Sequence, residues 1–136
     1  MSDDGAKHNQ PKPVELGGLS VMLDRLEYHP ELPAELERPF PYVYYLTIRN
    51  NSDRTIKLGA RKWVVTDQFG HQLVIEGEGI VGKKPRLEPG EKFSYNSYHI
   101  IGENSVAEGS FHGIDDLGRH IFVRIPRFEM KVPATE

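Results

Sequence analysis

The amino-acid sequence predicts an all-β protein, an antiparallel immunoglobulin-like or fibronectin type III-like β-sandwich of seven to eight strands. Three observations predict this class. Apolar residues alternate with polar ones in short runs, and turn sequences separate these runs about every 8–12 residues. Glycine and proline are frequent, with 13 and 10 among 136 residues. We find no segment with the apolar period of a helix of two or more turns.

The chain is long enough for one domain with a real core. Residues 1–13 contain three breakers, Gly5, Pro11 and Pro13, and no hydrophobic periodicity. This composition indicates a disordered leader. We therefore assign residues 14–136 to a single β-sandwich domain.

The first strands are predicted from alternation. The first spans Leu19–Tyr28. The second has the clearest alternation and follows a proline-rich charged loop. On this second strand the face predicted to point inward carries Tyr42, Tyr44, Leu46 and Ile48. The sequence Asn50-Asn51-Ser52-Asp53 ends the strand, because short polar side chains bond their own backbone in turns.

A hairpin is predicted next. Its first strand covers Thr55–Thr66, with a break near Gly59, and its second covers His71–Glu76. The turn between them ends in Gly70, which takes the left-handed position. We expect Trp63 to be buried between the sheets, and the inward residues around it to include Val65, Leu73, Ile75 and Ile48.

Four further strands complete the prediction. They are Lys92–Tyr98, Ala107–Ile114, Arg119–Ile125 and Phe128–Val132. The tight turn Asp115–Gly118 joins two of them. Pro126 is expected to bend the chain and separate the last two, because proline lacks the N–H that a strand donates.

Composition excludes several classes of function. The net charge is −3 and the pI about 6.1, which argues against general affinity for nucleic acid or anionic membrane. The chain has no cysteine, so disulfides, thiolate metal sites and cysteine nucleophiles are excluded. No apolar run is long enough for a transmembrane helix, and the acidic start is not a secretory signal. We expect a cytoplasmic protein.

One ordered set of motifs resembles the ApaG domain family. It consists of Tyr44–Asn50, Arg61–Asp67, Glu76–Gly82, Pro85–Tyr95, Gly109–Gly113 and Ile125–Phe128. The resemblance implies an immunoglobulin-like sandwich of the fibronectin type III kind. The bacterial family is named through a phenotype, cobalt resistance and magnesium efflux, and has no established reaction. Related eukaryotic domains are fused to F-box and polymerase-interacting proteins, which implies a binding module. This chain departs from the family in a shorter hairpin after Gly113.

A G-x-G-x-x-G motif lies at Gly77, Gly79 and Gly82. In dinucleotide-binding folds such a motif needs a strand before it and a helix after it. Here Lys83-Lys84-Pro85 follows, with no helical period, so we interpret the glycines as a loop crossing between sheets. The alternative is a shallow anion site, because backbone N–H groups and neighbouring cations attract anions. Its candidate residues are Gly77, Glu78, Gly79, Gly82, Lys83, Lys84 and Arg86.

The residues predict neither a metal site nor a cofactor. None of the six histidines has ligand spacing, although His112 and His120 flank one hairpin. Asp115 and Asp116 are weak candidates for magnesium, but acidic residues are also typical of tight turns. We also find no motif of an activated nucleophile, and therefore expect a protein that is not an enzyme.

Two aromatic residues point away from the predicted core. Tyr45 and Tyr98 lie on the opposite faces of their strands, where tyrosine is a good interface anchor. The leading functional hypothesis is recognition of another protein. An anion or small-ligand site in loop 77–86 is the alternative, and handling of divalent metals comes third. A homodimer formed through an edge strand is a further expectation.

Overall fold

The structure is a computed structural model that describes residues 12–134. The described residues form β-strands that are joined by turns and loops and arranged in two sheets. This arrangement confirms the predicted sandwich. The strands are β1 (Val14–Glu15), β2 (Leu19–Tyr28), β3 (Phe40–Asn50), β4 (Ile56–Asp67), β5 (Gln72–Glu78), β6 (Arg86–Leu87), β7 (Lys92–Ile101), β8 (Ser105–Asp115) and β9 (His120–Met130). Seven are long and two have only two residues. Within the described part of the chain no helix is long and apolar enough to cross a membrane. Residues 1–11 of the predicted leader lie outside the described residues.

The strands form two sheets. The larger has the order β1-β9-β8-β4-β5, with β6 paired to the start of β4, and the smaller has the order β2-β3-β7. Every pairing between long strands is antiparallel, whereas the short β1 runs parallel to β9. Alternation along each strand places one apolar face of each sheet toward the other, and these faces form the core.

Trp63 lies at the centre of this core and is 1% exposed, which confirms its predicted burial. Its ring is 4.8 Å from that of Tyr44 on β3 and 5.9 Å from that of Phe128 on β9. The imidazole of His99 on β7 is 4.6 Å away, edge to face. These rings come from both sheets, and tilted contacts of this kind add to the free energy of area burial.

The predicted break at Pro126 is wrong, because β9 continues from His120 to Met130. Ala107 pairs with Phe128, and the next pair is Gly109 with Ile125. Pro126 and the residue after it therefore face a single residue of β8 in a β-bulge. A bulge leaves a residue outside the ladder, so the missing N–H of proline does not interrupt the strand.

The expected burial of Leu73 is also wrong. Leu73 pairs with Val65, as the alternation requires, yet it remains 42% exposed. The reason is its position: β5 is the outermost strand of its sheet, and no neighbouring strand covers its free side.

The buried side chain of Asn50 forms hydrogen bonds with the turn that follows β3 and with the end of β6. Asn50 is fully buried, and its Nδ2 donates to the carbonyls of Arg54, at 2.9 Å, and of Leu87, at 2.8 Å. Its Oδ1 accepts hydrogen bonds from the amide and hydroxyl of Ser52. The turn chemistry predicted at Asn50 thus also anchors β6.

A second buried polar residue, Asp115, fixes the β8–β9 hairpin. Its carboxylate accepts hydrogen bonds from the amides of Leu117 and Arg119 and from the guanidinium of Arg119. Burial alone would raise the pKa of Asp115, but these hydrogen bonds outweigh it and lower the pKa to about 2. The acidic turn residue therefore has a structural role.

We predict that His99 makes the fold sensitive to acid. Burial lowers the pKa of His99 from 6.5 to about 4. The folded state thus favours neutral imidazole, so its stabilisation is present above pH 6.5 and is lost as the pH falls toward 4. The linked loss in free energy of unfolding is about 3 kcal/mol. His99→Phe should lack this loss in urea titrations across that range. Equal pH dependence of variant and wild type would contradict the assignment.

Candidate functional site

One side of the sandwich is less covered than the other. On the closed side β2 of the smaller sheet packs against β9 of the larger. On the other side both sheets end, one at β5 and the other at β7. We call the region between these two strands the open side.

A groove of about 260 Å³ lies at one end of the open side. The buried side chains of Val65 and Ile101 form its base, and Leu73 and Ile100 line its walls. Its rim is polar and includes Glu37, Arg38, Asp67, His71 and Glu103. An apolar base with a charged rim is typical of a recognition site.

The rim carries a net negative charge. Arg38 is paired with Glu35, with Nη2 2.7 Å from Oε1, so its charge is balanced locally. Asp67 accepts hydrogen bonds from the amides of Phe69, at 2.9 Å, and His71, at 3.0 Å. Burial opposes the ionisation of Asp67, yet these bonds lower its pKa overall. Glu37, Asp67 and Glu103 together make this the acidic end of the open side.

The glycine motif lies at the other end of the open side, and its first residues belong to a strand. Gly77 and Glu78 are part of β5. A Cβ on Gly77 would lie 2.9 Å from the guanidinium of Arg61, so glycine leaves room for that side chain. Arg61 Nη1 donates to the carbonyls of Glu78, at 2.8 Å, and Gly79, at 3.2 Å. The interpretation of the glycines as a loop crossing between sheets is therefore wrong: Gly77 belongs to β5, and the turn after it leads to β6 of the same sheet.

The other two glycines have positive φ, at +72° for Gly79 and +79° for Gly82. Ile80 and Lys83 close the turn between them through two backbone hydrogen bonds of 2.7 and 3.0 Å. The amide of Gly79 donates to the carbonyl of Gly59 at 2.7 Å. The amides of Gly79, Ile80 and Lys83 are thus engaged within the protein, which limits the donors that this turn offers to an anion.

Four cationic residues surround a concavity of about 410 Å³ beside this turn. They are Lys83, Lys84, Arg86 and Lys92. Two of them have acidic neighbours: Lys84 Nζ lies 3.8 Å from Glu78, and Arg86 lies 3.4 Å from Glu88. We call this group the basic corner. The sequence pattern did not indicate Lys92, which reaches the group only because the Pro89-Gly90 turn brings the start of β7 back beside the loop.

The two predicted interface tyrosines lie away from the groove, on the outer face of the smaller sheet. Tyr45 is half-buried, and the guanidinium of Arg25 lies 4.2 Å from its ring centroid. Tyr98 is 39% exposed and pairs with Val43. The structure therefore does not bring these tyrosines together with the glycine motif.

The histidines that the structure describes do not assemble into a recognisable metal centre. His112 pairs with Phe122, and its Nε2 is 2.7 Å from Ser110 Oγ. Burial first, and then the charge of Lys62, lower the pKa of His112, so it is neutral near pH 7. Among residues 12–134 no three His, Asp or Glu side chains are grouped as a ligand set. The absence of a specific metal site stays a prediction.

Comparison with known proteins decides the family. The sequence model of the ApaG domain matches residues 30–114, more than half of the chain. The chain belongs to the ApaG domain family. It is 36% identical to Protein ApaG of Acidithiobacillus ferrooxidans over 107 residues, which cover 76% of this chain and 82% of that protein. It is also 36% identical to Protein ApaG of a Vibrio cholerae strain, over 69% of this chain and 75% of that one.

A solved structure supports the same assignment. A crystal structure of a Bordetella pertussis protein that bears the name ApaA has a TM-score of 0.76 and 27% identity. The match covers 90% of this chain and all of that one. Membership in the ApaG family thus accounts for the sandwich and its motifs, whereas none of these names states a reaction or a ligand.

We predict that Gly79→Val destabilises this ApaG domain. The positive φ disfavours a β-branched residue, and a Cβ would lie 2.9 Å from the carbonyl oxygen of Lys83. The loss in free energy of unfolding should be about 1–3 kcal/mol by urea denaturation. Gly17→Val is the control, because a Cβ there has no neighbour within 4 Å. Equal losses at the two positions would show that the turn tolerates a side chain.

Proposed function

We propose that this ApaG-family protein is a non-enzymatic module for protein–protein recognition, which binds another protein chain through the open side. One observation supports the proposal above the others. Strand β5 ends its sheet with seven residues whose outer edge has no partner strand in the described part of the chain. Next to this edge Leu73 is 42% exposed and Val74 is 50% exposed.

An edge of this kind has a definite chemistry. Its unpaired N–H and C=O groups form hydrogen bonds with any extended segment laid beside them. Side chains that alternate along such a segment then point either to the groove or to the outer face of the sheet. The groove supplies Leu73 and Ile100 for apolar contact, and its acidic rim supplies charge selectivity.

The proposal is compatible with the rest of the molecule. The buried titratable residues His99 and Asp115 support the core and a hairpin, as described above. The curated relatives carry the name ApaG without an enzymatic activity in it. The lack of cysteine is compatible with the cytoplasm as the proposed compartment.

Site-specific photo-crosslinking in the native cell tests the proposal. Benzoylphenylalanine in place of Val74 should form adducts with another protein chain, because this side chain lies at the free edge. The matched control is Ile114, an apolar residue of similar exposure, 40%, on the inner strand β8. Equal adduct yields at the two positions, or none at Val74, would contradict recognition through β5.

A second candidate function is anion binding at the basic corner. The convergence of Lys83, Lys84, Arg86 and Lys92 around one concavity favours it. Two features weigh against tight binding. The turn amides already donate hydrogen bonds within the protein, and salt screens the attraction of exposed ammonium groups for an anion. Handling of divalent metals, implied by the family phenotype, remains third.

Titration with pyrophosphate, followed by backbone amide shifts, tests the second candidate. We expect weak shifts at residues 79–92, with a dissociation constant on the order of millimolar, that vanish at high salt. Lys92→Gln should weaken them, whereas Lys131→Gln, just after the end of β9 and away from the basic corner, serves as a control of equal charge change. Saturation at micromolar pyrophosphate in physiological salt would make anion binding the leading function.

A further inference from the structure

The backbone groups that β5 offers to a partner follow from its pairing with β4. The amide of Asp67 donates to the carbonyl of His71 at 2.9 Å, so residue 71 points its polar backbone groups toward β4. In an antiparallel ladder this direction alternates from one residue to the next. The free edge therefore presents the N–H and C=O groups of Gln72, Val74 and Glu76.

This alternation restricts how β5 can pair with a second copy of itself. In an antiparallel two-fold arrangement, edge-facing residues must lie opposite edge-facing residues. In the register centred on Val74, Val74 lies opposite itself, and Gln72 lies opposite Glu76. Leu73 then lies opposite Ile75, so apolar side chains meet on the inner face, and an amide meets a carboxylate on the outer face.

The neighbouring registers are less favourable. A pairing centred on Ile75 sets Val74 against Glu76, and one centred on Glu76 sets that carboxylate against its own copy. A pairing centred on Leu73 leaves Ile75 opposite His71. Like charges directly opposite each other, or apolar residues opposite polar ones, lower the stability of a strand pair. The register centred on Val74 is therefore the self-complementary one.

The charges at the two ends of β5 agree with this arrangement. The acidic end, with Asp67 and Glu103, lies at the start of the strand, and the basic corner lies beyond its end. These ends are separated by about 20 Å along seven residues. Antiparallel pairing brings the acidic end of one copy to the basic corner of the other. Because of the two-fold symmetry, the same contact forms twice, once at each end of the paired strands.

The exposed apolar side chains are distributed in the same way. Phe69 is 65% exposed in the turn before β5, and Val81 is 48% exposed in the turn after it. In the register centred on Val74 these two turns come together from opposite copies. Phe69, Leu73, Val74 and Val81 are thus exposed apolar residues along the edge, with Leu73 on the inner face of β5 and Val74 on its outer face.

We propose that the partner at this edge is a second copy of the chain, joined antiparallel through β5 with Val74 on the two-fold axis. This inference rests on the proposed function, since it names the partner of the same edge. The two larger sheets then form one continuous sheet through about six new backbone hydrogen bonds, two for each of three residue pairs.

Cysteine crosslinking of the full-length protein tests the register. The natural chain has no cysteine, so each substitution introduces a single thiol. Opposed hydrogen-bonded residues have Cα atoms about 5.5 Å apart, within the range of a disulfide. Val74→Cys should form a disulfide-linked dimer at least about tenfold faster than Ile114→Cys, because pairing raises the effective thiol concentration. Gln72→Cys combined with Glu76→Cys should crosslink faster than either alone.

Three results would overturn the proposal. The first is that Val74→Cys crosslinks no faster than the Ile114→Cys control while the wild-type protein sediments as a monomer at every concentration. The second is that Ile75→Cys crosslinks faster than Val74→Cys, which would refute the register. Photo-adducts at Val74 with other proteins alone, in a chain that stays monomeric, would refute the second copy and leave the proposed function intact. Support requires fast Val74→Cys crosslinking and wild-type dimerisation that Val74→Lys abolishes.

Discussion

The side chain of Trp63, on the central strand β4, is buried between the two sheets. The alternation that buries it also determines which other side chains of β4 point inward. Trp63 contacts Tyr44 and His99 from the smaller sheet and Phe128 from the larger. Once Trp63 points inward, Val65 and Arg61 must do so as well, because side chains on a strand repeat every two residues. Val65 forms the base of the groove. Arg61 brings a positive charge to the same interior face.

The position of Arg61 explains the glycine motif better than nucleotide binding does. A guanidinium on the inner face needs room and hydrogen-bond acceptors. Gly77 provides the room, and the carbonyls of Glu78 and Gly79 accept its hydrogen bonds. The positive φ of Gly79 and Gly82 then allows the chain to turn toward β6. Each glycine of G-x-G-x-x-G therefore has a steric or conformational reason within the sandwich.

Two of the long edge strands, β2 and β5, differ in how they are protected. β2 packs against β9, and its pairing with β3 is interrupted by a register shift between Leu23 and Arg25. Irregularities of this kind discourage pairing with another chain. β5 pairs with β4 in continuous register and has no proline or bulge, although Glu76 and Glu78 add charge. The edge strand β7 has an equally continuous register with β3. The exposed apolar residues beside β5 are therefore why both proposals centre on β5.

Local pattern determined much of this protein. Alternation located the long strands and buried Trp63, turn chemistry located Gly70 and Asp115, and the ordered motifs indicated the ApaG family. Tertiary structure decided the rest. Pro126 stays within a strand because a bulge lies opposite it, Leu73 is exposed because its strand is outermost, and Lys92 joins the basic corner because a turn returns β7 to the loop. The physical reason is that periodicity specifies which face of a strand is apolar. It does not specify which strand lies beside it, and that neighbour determines burial, charge clustering and the free edge.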